Sequence, residues 1–235
     1  KEKLKIYLEK KLYALISSEL SNLVNLSKTK FKNNYARALC YQLFENNGVI
    51  KREAIHQMMK NISKEDRLSL RKVGVKIGRY HIFLPRMLKP SAVELRVKLW
   101  KLYFPEDKKN IIPKFGLNFL KNETKKNNKF LLICGFENFN KFYIRVDILE
   151  RLFLRIIENT KNGAFKTDSD MINLIGCSKE NFFKLLELME YRSKKSKKEK
   201  EEFFVYTPKL TKNKIKYQKT SRNNPFEKLS ELRFR

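Results

Sequence analysis

The residues best placed to do chemistry are cations gathered on one short segment: Arg71, Lys72, Lys76, Arg79, Arg86, Lys89 and Arg96, with His81 among them. The chemistry they suggest is phosphate contact. Guanidinium forks grip phosphate oxygens bidentately, and four arginines occur here in a chain that otherwise favours Lys over Arg by 39 to 14. Tyr80, His81 or Phe83 could stack a base, although Tyr80 falls on the apolar side of the hairpin and reads more readily as core. The plainer alternative is a structural hairpin whose charges only keep a sheet edge soluble. Catalytic pairings are missing. Cys40, Cys134 and Cys177 are widely separated, with no C-x-x-C spacing, and read as three buried thiols in a reducing, cytoplasmic setting. His56 and His81 stand apart from any nucleophile in sequence, and no G-x-x-x-x-G-K-[ST] loop is present. No metal site and no cofactor are therefore expected in this chain.

The cations must be positioned by the segment Val73 to Trp100. Gly78-Arg79 suits a two-residue type II′ turn between residues that alternate apolar and polar. That turn predicts Ile77 opposite Tyr80, Lys76 opposite His81 and Val75 opposite Ile82. One face is then apolar, and the other carries Lys76, His81 and Phe83, with Arg79 at the tip. Pro85 and Pro90 bound a linker bearing Arg86 and Lys89, and Ser91 with Glu94 forms a capping box for a helix striped by Ala92, Leu95, Leu99, Leu102 and Tyr103.

Composition sets the limits around this segment. The 235 residues include 18 Phe and 10 Tyr at 42% hydrophobic content, enough for real cores. The net charge of +28 repels itself unless an anionic partner is present, and nucleic acid leads that list. A membrane is a weaker candidate, because the longest apolar run, Phe130 to Phe136, spans seven residues. Abundant Lys and Asn also fit an AT-rich genome, so part of the charge is compositional drift.

Leu4, Leu8, Leu12, Leu15, Leu20 and Leu23 predict a first helix from about Leu4 to Leu26, partnered by a second helix bearing Ala36, Leu39, Cys40, Leu43 and Phe44. A short helix around Ala54 to Met59 and a fourth begun by Ser63 precede the hairpin. Helix, helix, helix, hairpin is the order of a winged helix, and a helical bundle with an inserted hairpin fits nearly as well. Residues 105–129 read as a linker. Phe130 to Cys134 and Phe142 to Val146 predict two strands, and Asp147 with Glu150 caps the following helix. Asp168 or Ser169 then starts a short helix, Gly176-Cys177 turns, and Ser178 caps a longer helix, at helix-turn-helix spacing. Tyr191-Arg192 and Phe203 to Tyr206 would pair as a second wing. Lys179, Lys184 and Arg192 are secondary phosphate candidates, but Glu180 and Glu187 on the same helix oppose groove insertion. From Arg192 to Arg235 there are 15 basic and 5 acidic residues, so the tail adds salt-sensitive affinity for a polyanion. Phe226, Leu229, Leu232 and Phe234 predict a short amphipathic helix near its end.

Val73 to Trp100, with VGVKIGRYHIFLPRMLKP followed by LRVKLW, resembles the C-terminal region of alphaproteobacterial superfamily-two helicases related to the mitochondrial Suv-type RNA helicase. Arg145-Val146-Asp147 with Leu149-Glu150-Arg151-Leu152, then Leu174-Ile175-Gly176-Cys177-Ser178, then Asn224-Pro225-Phe226 with Leu229 and Leu232 are similar to that family's downstream sequence, in the same order. The resemblance covers most of the chain beyond Ala36. It implies a parent protein whose upstream motor domains bind ATP and Mg and whose C-terminal part helps enclose a single strand. On that basis the Arg71 to Lys89 face would look into the channel. Lys1 is not a Met, and the expectation is the end of a longer polypeptide.

The expected fold is mainly α with small β-hairpins (α+β). A helical-bundle or winged-helix-like part, residues 1–104, carries the hairpin at 73–84; a linker, 105–129, leads to a second winged-helix-like part, 130–208, and a basic tail, 209–235. The expected partners are RNA or DNA, chiefly single-stranded, and motor domains of the same polypeptide, with no membrane. The competing expectation is a stand-alone winged-helix DNA-binding or ribonucleoprotein structural protein.

Overall fold

The structure, a computed structural model, describes residues 2–29, 31–121, 128–140, 142–195 and 202–208. The basic tail beyond 208, with its expected terminal helix, lies outside the described residues. Helices α1 (Glu2–Glu19) and α2 (Ser21–Lys28) lead into α3 (Asn34–Glu45), β1 (Val49–Lys51), a 3-10 turn continuing as α4 (His56–Lys60), α5 (Lys64–Lys72), β2 (Lys76–Ile77) and β3 (His81–Phe83). Helix α6 (Pro90–Tyr103), strand β4 (Phe119–Lys121), helix α7 (Asn128–Ile133) and strands β5 (Phe136–Phe139) and β6 (Phe142–Arg145) form the middle. The last part comprises α8 (Val146–Asn159), β7 (Ala164–Lys166), α9 (Ser169–Ile175), α10 (Lys179–Leu188), β8 (Tyr191–Lys195) and β9 (Glu202–Tyr206).

Mainly α with small antiparallel sheets is thus the fold class observed, and a single order occurs twice in it. From α3 to β3 and from α8 to β9 the chain runs helix, strand, helix, helix, strand, strand. In both units the third strand lies between the first and second, giving the sheets β1-β3-β2 and β7-β9-β8. This is the winged-helix arrangement expected for each end. A middle sheet, β4-β6-β5, joins them.

Local chemistry explains the boundaries. Asn33, Ser63, Asp168 and Ser178 each cap a helix by accepting a backbone N–H with the side chain. Gly176, at φ +74°, takes the left-handed conformation that closes α9 and makes the turn. The first sheet is packed on both faces: Ile50, Val75, Ile77, Ile82 and Leu84 belong to the core of the first unit, while Val49 and Phe83 pack with Val146.

Several expectations change. The first helix breaks at Leu20, and only Leu20, Leu23 and Leu26 are buried; Leu4, Leu8, Leu12 and Leu15 remain exposed, and α3 packs chiefly against α2. Phe130 to Ile133 is helical, with Cys134 in the turn that follows, not a strand: Phe130, Leu131, Ile133 and Cys134 are buried, and a short apolar run carries no periodicity that separates the two states. The Ser91 capping box is not formed. Pro90 opens α6 after Lys89, and the Ser91 hydroxyl instead donates to Glu19. The expected linker includes strand β4, paired with β6. Cys40 and Cys134 are buried as expected, but Cys177 is only half-buried.

Candidate nucleic-acid interface

The hairpin turn lies one residue further along the chain than predicted, and the contacts of its tip explain why. Ile77 pairs with Ile82 and Lys76 with Phe83, and the Gly78 N–H donates to the His81 carbonyl at 2.8 Å, so Arg79 and Tyr80 lie at the tip. This is a shift of two residues from the expected register. Side chains alternate with period two, so the faces survive: Val75, Ile77, Ile82 and Leu84 point to one side and Lys76, His81 and Phe83 to the other. The second face is not free, however. His81 and Phe83 are covered by the middle sheet and α8, and Lys76 alone of the three stays exposed.

Two carboxylates receive the tip. Glu150 on α8 accepts the backbone N–H groups of Arg79 (2.6 Å), Tyr80 (2.8 Å) and His81 (2.8 Å). Three adjacent N–H groups form a nest of positive partial charge, complementary to an anion. Gly78 is required by this approach, since a Cβ there would overlap the Glu150 carboxylate. Glu150 therefore does not cap α8. Arg145 occupies the cap position, and its guanidinium pairs with Asp147 at 2.7 and 3.0 Å.

Glu137 on β5 is the second carboxylate. Its Oε1 accepts from Lys51 Nζ (2.5 Å), and its Oε2 lies 2.7 Å from His81 Nε2. Burial pushes the Glu137 carboxyl up, but the hydrogen bonds and charges of His81 and Lys51 outweigh it and hold the group below the usual carboxylate range. Lys51, Glu137, His81 and Glu150 thus form one polar seam between the first unit and the rest of the fold.

The seam corrects two phosphate candidates. His81 is 1% exposed and engaged by Glu137, and Arg96 is 2% exposed. Arg96 donates to the backbone carbonyls of Asn47 (2.5 Å) and Met87, and burial lowers its guanidinium to about 10. It ties α6 to the turns around β1 and β3. Phe83, a candidate for base stacking, is fully buried, with Lys76 Nζ 5.8 Å from its ring centre.

Six of the eight primary candidates remain exposed: Arg71, Lys72, Lys76, Arg79, Arg86 and Lys89. The structure brings some of these together. The end of α5, bearing Arg71 and Lys72, and the turn bearing Arg86 converge on Asn22 of α2: Arg86 donates to Asn22 Oδ1 at 3.3 Å, and Asn22 Nδ2 lies beside Gly74. Arg79 is placed elsewhere, with its guanidinium 5.9 Å from the Phe153 ring centre. Lys89 lines a cavity with Arg145 and Lys114. Among the secondary candidates, Lys184 is paired with Glu180 at 2.5 Å, Lys179 lies over Phe183 and Arg192 is exposed on β8.

The sequence reading did not identify the groove at the tip. A cavity of about 530 Å³ lined by Lys51, Arg52 and His56 shares Arg79, Tyr80, Phe139, Glu190 and Tyr206 with a second, more apolar one of about 540 Å³. Of the shared lining residues, Arg79 and Tyr80 were singled out in sequence as hairpin residues and Tyr206 as a strand end, whereas Phe139 and Glu190 gave no signal. Among the described residues, no helix is long and apolar enough to cross a membrane, and no cluster of three metal-ligating side chains occurs. No family model, curated protein or solved structure matches this chain.

Proposed function

We propose that this chain is a non-catalytic, nucleic-acid-binding accessory region of an ATP-dependent RNA or DNA helicase, holding a single strand on the basic flank of its first unit and bracing the motor. The observation that carries this reading is positive charge without internal counter-charge. The chain has a net charge of +28, yet among the described residues ion pairs engage Lys5, Lys51, His81, Arg145, Arg155 and Lys184 and none of Arg71, Lys72, Lys76, Arg86 or Lys89. Cations left unpaired favour a polyanion through counterion release. The helicase part of the proposal rests on the resemblance of Val73 to Trp100. ATP and Mg belong, on this reading, to upstream motor domains in the cytoplasm.

The alternative of a free-standing winged-helix reader has two features against it. The tip of the first wing is spent on Glu150, and the second unit's α10 exposes Glu180 and Glu187 beside its lysines. Fluorescence anisotropy with labelled single-stranded RNA, single-stranded DNA and duplex separates the readings. Salt-sensitive binding that favours single strands is expected. Preference for one duplex sequence, or no salt-sensitive binding to any of them, overturns the proposal.

A further inference from the structure

We propose that the groove beneath the hairpin tip is a pocket for an unpaired nucleobase. The inference rests on the strand-binding reading above and adds where a base goes. The groove's volume of about 540 Å³ lies within the roughly 300–1,000 Å³ of small-molecule sites. Its walls include Tyr80, Phe139, Phe153 and Tyr206, and apolar surface remains uncovered at its mouth: Ile157 is 52% exposed, Leu188 41% and Tyr206 44%. Aromatic and aliphatic walls of this kind accept a flat ring of any sequence, because every base presents a π face.

Charge identifies the occupant as a base and not a phosphate. The polar groups of the groove include one guanidinium, Arg79, and one carboxylate, Glu190. A phosphate would meet the Glu190 carboxylate. A base edge, which carries donors and acceptors together, can use both groups. Both have capacity to spare. The Arg79 guanidinium makes no hydrogen bond among the described residues, only its contact over Phe153, and Glu190 accepts one long hydrogen bond, 3.3 Å, from the Tyr206 hydroxyl. Glu190 also sits at φ +69°, a left-handed backbone that glycine or asparagine takes more cheaply at a helix end. The adjoining cavity is lined by Lys51, Arg52 and Arg79 and by Glu53, Glu137 and Glu190, so charge is balanced there too. Phosphates are left to the unpaired cations outside the groove.

The test uses the intact chain and two short single-stranded RNAs of equal charge, one bearing bases and one made of abasic nucleotides, with a matched pair of DNAs as a second arm. Stacking of one base predicts roughly 5- to 150-fold weaker binding of the abasic strand. A fluorescent purine analogue within the base-bearing strand is expected to be quenched on binding. Tyr206→Ala should reduce both the quenching and the affinity, and Tyr206→Phe should retain them. Equal affinity for abasic and base-bearing strands, or Tyr206→Ala quenching as the native chain does, overturns the pocket while leaving strand binding intact and an apolar peptide as the groove's occupant. Failure of every oligonucleotide to bind overturns both inferences. If only one of the two sugar backbones shows the base effect, the pocket stands for that nucleic acid.

Discussion

Replacing Glu150 with Ala should unpin the hairpin tip from α8. The carboxylate accepts three backbone N–H groups at 2.6–2.8 Å, and only the His81 bond is fully buried. Leaving that one donor unsatisfied costs about 1–3 kcal/mol, and the two partly buried donors lose about 0.5–1.5 kcal/mol each as water replaces the acceptor. Relief of carboxylate desolvation offsets part of this, so a net loss of about 2–4 kcal/mol is expected. Glu150→Gln keeps one oxygen for Tyr80 and His81 but turns an amide N–H₂ toward Arg79, and should cost about half as much. Urea unfolding measures the free energy, and hydrogen exchange reads the Tyr80 and His81 amides directly. Glu187→Ala, which removes an exposed carboxylate from α10, is the control and should stay within about 0.5 kcal/mol. Native stability and unchanged amide protection in Glu150→Ala would refute the reasoning.

Gly78→Ala should mimic this loss, because the added methyl displaces the same carboxylate; thermal unfolding close to that of the native chain would show that the tip adapts. Arg96→Lys should destabilise by about 1–3 kcal/mol in chemical denaturation, since one ammonium cannot reproduce a planar fork donating to the carbonyls of Asn47 and Met87. The lowered Glu137 carboxyl contributes stability that is complete above its ordinary value of 4.5 and is lost as pH falls through its depressed folded value. Melting temperatures of the native chain and Glu137→Gln, followed downward from pH 7, should therefore converge in acid; a constant gap would contradict the assignment.

The sequence made the secondary elements legible wherever a local rule sufficed. Ser63, Asp168 and Ser178 as caps, Gly176 as a left-handed turn and the Tyr191 to Tyr206 pairing all follow from short-range geometry. The faces of the first hairpin were also legible, because parity is unchanged by a two-residue slip. What the second face touches was not. Gly78 reads as a turn glycine, but its role is to admit a carboxylate seventy-two positions away, and nothing in periodicity encodes such a contact. Glu137 and Glu150 were obscured for a related reason: a buried carboxylate looks like any surface charge until its partners are known. His81 and Arg96 were misplaced by the same rule, which assigns charged side chains to solvent.

The central claim is that the exposed cations at the end of α5 and after β3 hold phosphates. Its most direct test is the salt dependence of single-stranded RNA affinity, compared between the native chain and the combined variant Arg71→Ala, Lys72→Ala, Arg86→Ala. Each phosphate contact on a single strand contributes about 0.7 to the slope of log affinity against log salt. If all three residues engage phosphate, the variant's slope is shallower by about 2 while the fold, read by circular dichroism, is unchanged. A folded variant with the native slope would contradict the account.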